Sequence, residues 1–234
     1  MKKSEDVRFV NIPIALLPEL YNNCREFCEK AMAVGVYLYS QKLNGDNDVQ
    51  KFEDAAGYLN IRFGRGSENN IREAEEILFK TKGSPVVGIE IGMLFDYYQN
   101  PKTEFEIVCL GAFLGVKSII GKKPYAKSNK KMIFARMFGY KSPKELPNKR
   151  YMNDLQKKYF NRYQIDKILN TLQLNWGLKM LWNHNRGVYL TFDVSLEELA
   201  KITETDKRKA KLRQLAEDKR KAIEKVKTYA DEEF

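Results

Sequence analysis

Residues 115–162 hold 14 lysines and arginines against two acids, Glu145 and Asp154, a local charge of +12 in a chain whose formal total is +10. Charge confined in this way faces a polyanion, and nucleic acid is the first candidate. Ile119, Ile120, Met132, Ile133, Phe134, Met137 and Phe138 interleave with the cations, which points to a folded face rather than a solvated tail. Lys122, Lys123, Lys127, Lys130, Lys131 and Arg136 are the expected phosphate anchors, gathered before and within one apolar-patterned helix. Asn161, Arg162, Tyr163, Gln164 and Lys167 open a later amphipathic stretch, with the amide and guanidinium forks that match adenine and guanine edges. Asn183, His184, Asn185 and Arg186 make a polar turn, from which Asn185 and Arg186 add two further contacts. With no carboxylate near it in sequence, His184 reads as a solvated turn residue rather than a base or ligand.

For catalysis the chain offers little. It has one histidine, no nucleophile motif, no His-x-Glu or Cys-x-x-Cys pair and no tight acidic cluster for Mg²⁺, so a non-enzyme without metal or cofactor is expected. Cys24 and Cys28 stand one helical turn apart but lack a second pair, and with Cys109 the thiols are odd in number, so buried free cysteines are expected. Gly64-Arg65-Gly66-Ser67 precedes a helix but lacks the Gly-Lys-Ser/Thr ending of a nucleotide-binding loop.

The elements that must hold these residues are read from periodicity. A chain of 234 residues, 43% hydrophobic and 12% aromatic, buries a core as one large or two small domains. No apolar run reaches the roughly 18 residues that cross a bilayer, and the first residues are polar, so a cytoplasmic protein is expected. Residues 7–12 alternate like a strand or extended arm. Helical spacing then covers 25–43 (Phe27, Ala31, Val34, Leu38), 49–59 with Asp48 as N-cap, and 67–80 with Ser67 as N-cap, before a β-branched strand over 86–91. Helix, helix, helix, hairpin is the resulting order.

That order returns in 101–200: an apolar helix over 104–121, a helix around Phe134, a short helix within 151–159, an amphipathic helix over 164–174 and a strand over 188–193. Phe52 and Gly57-Tyr58 in the first unit match Phe134 and Gly139-Tyr140 in the second. Trp176 and Trp182 flank the polar turn and read as core residues. The third helix of the first unit carries Glu73, Glu75 and Glu76, making it the weaker reader, with Arg62, Arg65, Asn69, Asn70 and Arg72 as its possible contacts. The last 40 residues hold 11 bases and 10 acids without Gly or Pro, a solvated helix. Its row Leu212, Leu215, Lys219, Ala222, Val226, Tyr229 suits a short coiled-coil seam, a projecting helix or one packed back on its own protein.

Three helices followed by a hairpin resemble winged-helix domains, a superfamily without a diagnostic motif, and the resemblance is better in 101–200 than in the first unit. An insertion around 143–159 departs from that pattern. The expected fold is mainly α with small β-hairpins (α+β): winged-helix-like units over 1–100 and 101–200, and a charged helix over 201–234. The resemblance implies a third helix in the major groove and a hairpin wing on the backbone. Tandem units are also similar in architecture to plasmid and phage replication initiators. A DNA-binding protein of initiator or transcription-regulator type, on double-stranded DNA, is the expectation, with homodimerisation through the last helix. The competing class is a protein-interaction scaffold built from the same units.

Overall fold

The computed structural model describes residues 8–183 and 187–232; of the polar turn, His184, Asn185 and Arg186 lie outside the described residues. The chain is mainly helical with two small antiparallel sheets. Its first half runs β1 (Phe9–Pro13), α1 (Leu17–Asn22), α2 (Cys24–Ser40), α3 (Asp48–Leu59), α4 (Ser67–Lys80), β2 (Val86–Glu90) and α5 (Ile91–Gln99). The spacing that predicts α2 is the spacing it buries: Phe27, Ala31 and Val34 have no exposed surface. The helix starts are capped differently from expectation. Asn47, not Asp48, caps α3, its Oδ1 accepting from the Val49 and Gln50 amides at 3.0 and 3.2 Å. Asp48 thereby becomes the first helical residue, where a carboxylate suits the helix dipole. Gly66 holds the capping position of α4, and the Ser67 hydroxyl donates to Glu53 at 2.9 Å.

The hairpin expected in the first half is absent among the described residues. β2 pairs with the amino-terminal β1 instead, Phe9 opposite Glu90 through to Pro13 opposite Val86, and then turns directly into α5. Val10, Ile12, Val87 and Ile89 alternate inward from this ribbon and are buried. The arm already supplies the partner that a second hairpin strand would have been.

The second half runs α6 (Glu104–Ile120), β3 (Ala126–Ser128), α7 (Lys130–Met137), α8 (Asp154–Tyr159), α9 (Arg162–Asn175), β4 (Lys179–Asn183), β5 (Gly187–Thr191) and α10 (Leu196–Glu232). Two short 3-10 turns, Pro143–Glu145 and Lys149–Tyr151, fill the insertion before α8. The sheet has the order β3-β5-β4, so the hairpin β4–β5 is joined on its β5 side by a three-residue strand that the sequence did not announce. Gly187 opens β5 with a φ of +92°, and a Cβ there would stand 2.2 Å from the Ser128 carbonyl oxygen. Only glycine permits both the backbone angle and this approach of β5 to β3.

α6 belongs to both halves. Its start is fixed by a reciprocal capping box between Thr103 and Glu106. Leu110 and Leu114 enter the first core with Phe27, Phe52 and Ile89, while Val108, Ala112 and Val116 enter the second with Phe134, Ile168 and Leu190. Gly115 lets α7 pass close by: a Cβ there would meet the Met137 amide nitrogen at 2.7 Å. The Tyr21 hydroxyl of α1 donates to the Met137 carbonyl, and burial pushes the phenol's pKa far above its ordinary value. The first turns of α10 pack Leu199 beside Val194 and Tyr189, and the Tyr189 hydroxyl donates to Asp206 at 3.0 Å.

Candidate nucleic-acid interface

α9 is what the second half positions. Ile165, Ile168, Leu169 and Leu172 are buried in the second core, and a helix held by one stripe turns the opposite stripe to solvent. That outer stripe carries Tyr163, Lys167 and Asn170, and Arg162 is exposed on its flank at the start of the helix. Its start is set by Asn161, whose Oδ1 accepts from the Gln164 amide at 2.9 Å and whose Nδ2 donates to the Lys158 carbonyl at 2.9 Å. Asn161 therefore caps and positions the helix, with one hydrogen bond at each end of its exposed amide. Gln164 is half-buried and lies about 200° around the helix from Arg162, so the two expected readers face opposite flanks. Lys167 leans toward the start of α6, its ammonium 4.7 Å from the Phe105 ring centre.

Arg162 faces a cleft of about 660 Å³ between α9, the first turn of α7 and the β4–β5 hairpin, lined also by Lys130, Asp166, Asn170, Met180 and Trp182. Lys130 is the first residue of α7, placed by the Asn129 cap, whose side chain accepts from the Met132 amide at 2.9 Å. Its ammonium pairs with Asp166 and sits 5.0 Å from the Trp182 ring centre, a cation–π distance. Arg162 approaches the same carboxylate, Nε to Oδ2 at 3.8 Å. The structure thus brings together Lys130 and Arg162, two of the expected contacts, with Asp166, which the reading of the cations passed over. Its place four residues after Arg162 is the ion-pair spacing of a helix and was the available signal. Trp182, expected in the core, is 43% exposed and forms a wall of the cleft. Trp176 does pack inward, 4.7 Å from Phe113 centre to centre.

The remaining cations are less concentrated than their sequence spacing suggests. Lys122 and Lys123 are exposed between α6 and β3, Lys127 is exposed on β3, and Lys131 is exposed on α7. Arg136 is half-buried, and burial lowers its pKa. Its Nε and Nη1 are shielded from water and have no hydrogen-bond partner, so this phosphate anchor is largely withdrawn from the surface. Lys117 is held over the rings of Phe9 and Phe113, each at 5.2 Å, and burial lowers its pKa as well. Lys158 is bound to Glu104 at 2.7 Å and Lys157 lies 3.9 Å from Asp154. A second group forms where Lys141, just before the insertion, meets Lys80 at the end of α4 and Lys82 beyond it, together with Glu145, around a smaller hollow of about 220 Å³. Of the expected contacts, the structure thus gathers Lys130 and Arg162 at the α9–hairpin cleft, leaves Lys122, Lys123, Lys127 and Lys131 exposed, and withdraws Arg136.

In the first half the acids of α4 are engaged locally: Glu75 accepts from the Tyr37 hydroxyl at 3.0 Å, Glu76 pairs with Lys80 at 3.6 Å and Glu73 with Arg65 at 3.7 Å. Cys24, Cys28 and Cys109 are free thiols. Among the described residues, no three or more His, Cys, Asp or Glu side chains gather to hold a metal ion, and no helix is long and apolar enough to cross a membrane. Comparison with protein-family models, curated proteins and solved structures finds no match to this chain.

Proposed function

We propose that this chain is a non-catalytic, cytoplasmic DNA-binding protein that takes double-stranded DNA at the α9–hairpin cleft, as a replication initiator or transcriptional regulator does. The observation that carries the reading is α9 itself: buried on one stripe, exposed on the other with Tyr163, Lys167 and Asn170, with Arg162 exposed at its start beside the cleft, and flanked by a two-stranded hairpin. A helix of this kind fits the major groove, where Arg162 meets guanine and Asn170 adenine, while the exposed cations Lys127 and Lys131 contact phosphates beside it. With α8 set aside as part of the insertion, the order helix, strand, helix, helix, hairpin supports the resemblance to winged-helix domains, in which the third helix and the wing are the binding elements. α4 lacks such a hairpin and carries acids, so the first half plays the supporting part.

Fluorescence anisotropy tests this with random-sequence duplex, single-stranded DNA and RNA, each at several salt concentrations. Duplex should bind most tightly, and if about six phosphates are neutralised the logarithm of affinity should fall with log salt at a slope near −5. Affinity for duplex no greater than for the other two, or a slope near zero, overturns the reading in favour of a protein-binding scaffold.

A further inference from the structure

An exposed apolar row lies on α10. The helix leaves its own protein after Asp206, and every described side chain from Lys207 to Ile223 is exposed, including Leu212 at 66%, Leu215 at 50% and Ile223 at 58%. The 26 residues from 207 to 232 reach about 39 Å at a rise of about 1.5 Å each. Helices in proteins draw most of their stability from packing an apolar face, so the exposed row calls for a partner.

The sequence of the helix says which one. With Leu212 and Leu215 at core positions a and d of a heptad, the row continues through Lys219, Ala222, Val226 and Tyr229. Two copies aligned in parallel place Lys219 against Lys219 in the core. They also set the run 207–213, five cations and no acid, against itself. Two antiparallel copies remove both conflicts. Core layers then pair Leu212 with Tyr229, Leu215 with Val226, and Lys219 with Ala222, a small residue that leaves the lysine stem room to reach water. The flanking g positions pair Lys211 with Glu232 and Asp218 with Lys225, opposite charges in both cases, each occurring twice by symmetry. On the other flank Ile223 meets Ala216, which covers the exposed isoleucine. The five-cation run faces the acids Asp231 and Glu232 of the opposing copy.

We infer that α10 is the dimerisation element of this protein, joining a second copy of the chain as an antiparallel coiled coil centred between residues 219 and 222. The two folded bodies then sit at opposite ends of the paired helices. The complementarity is between α10 and itself, which is why the occupant is another copy and not an unrelated protein.

Sedimentation velocity of the full chain without DNA tests this independently of the duplex reading. The mass should rise from 27.3 kDa toward twice that value between micromolar and submillimolar concentration. Asp218→Lys should weaken association about tenfold, because two pairs change sign at once, and adding Lys225→Asp should restore it. Orientation is read by mixing two single variants, Leu212→Cys and Tyr229→Cys, which should form a disulfide-linked pair under oxidation while Leu212→Cys alone should not. A monomer at every concentration, failure of the double charge exchange to restore association, or cross-linking of Leu212→Cys with itself overturns the inference.

Discussion

The Lys130 ammonium on α7 is bound to the Asp166 carboxylate on α9 and lies against the Trp182 ring on β4, so one cation ties the second helix, the outer helix and the hairpin together. The same carboxylate draws in Arg162. Asp166 therefore restrains two of the positive charges with which the cleft would hold DNA. Asp166→Asn should raise affinity for random duplex and steepen the dependence on log salt by about one unit, as one more phosphate is neutralised. Anisotropy titrations of the variant and parent against one duplex check it; unchanged affinity and slope count against DNA in this cleft.

Replacing Lys127, Lys130 and Lys131 together by Ala should weaken binding to every duplex alike, since phosphate contacts carry no sequence. Arg162→Ala should instead change which duplex is preferred, at a cost of about 1–3 kcal/mol on the best site. Gln164→Ala should alter preference less, because Gln164 lies on the far flank of α9. Selection from a randomised duplex pool distinguishes these outcomes. Equal losses on all sequences from all three changes would mean that α9 does not read bases.

Gly115→Ala places a methyl group against the backbone of Met137 and should destabilise the protein by about 1–3 kcal/mol. Tyr21→Phe leaves the Met137 carbonyl without its donor and should cost about 1–3 kcal/mol if that oxygen finds no water. In a chain of this size each kcal/mol lowers Tm by about 2–4 °C, so differential scanning calorimetry resolves both.

The hydrogen bonds from Lys158 and Tyr159 hold the Glu104 carboxyl below its ordinary value of 4.5. A carboxylate with a lowered folded pKa contributes stability above its unfolded value and loses it as pH falls through the folded one. Glu104→Gln should therefore lower Tm slightly at neutral pH and match the parent in acid, below the range where the carboxylate protonates. The effect is small because both partners are about half exposed. Parallel Tm curves for parent and variant across that range would show the contact to be without consequence.

Burial pushes the Cys109 thiol up to about 11, and Cys28, hydrogen-bonded to the Cys24 thiol and buried, is raised much further. Cys24 is lowered by the Cys28 hydrogen bond and is only half-buried. Iodoacetamide at mildly alkaline pH should modify Cys24 first and leave Cys28 and Cys109 intact until the protein unfolds, as peptide mass mapping shows.

Helix positions were largely legible in the sequence, because α3 and α9 bury a stripe at helical spacing, α2 and α6 are long apolar stretches, and the loops between the helices are marked by Asn, Gly or Pro. The partner of β2 was not legible. A strand's alternation shows which face is buried, but nothing local distinguishes pairing with a following strand from pairing with an arm nearly 80 residues earlier. Three-residue β3 was too short to leave a period. In the site, residue type located Lys130 and Arg162, yet net charge along the chain is blind to direction. Arg136 points inward, Lys117 lies over two rings, and Asp166 becomes significant only when α7 folds against α9. Trp182 was misplaced because an aromatic at a strand edge serves a core or a cleft with the same sequence pattern.

Because α6 gives Leu110 and Leu114 to one core and Val108, Ala112 and Val116 to the other, neither half owns a complete interior. Heat should melt the folded body in a single cooperative transition. A fragment cut at the 100–103 link would leave the first half with an open apolar trough where that helix had lain, prone to aggregate rather than to behave as a free-standing module.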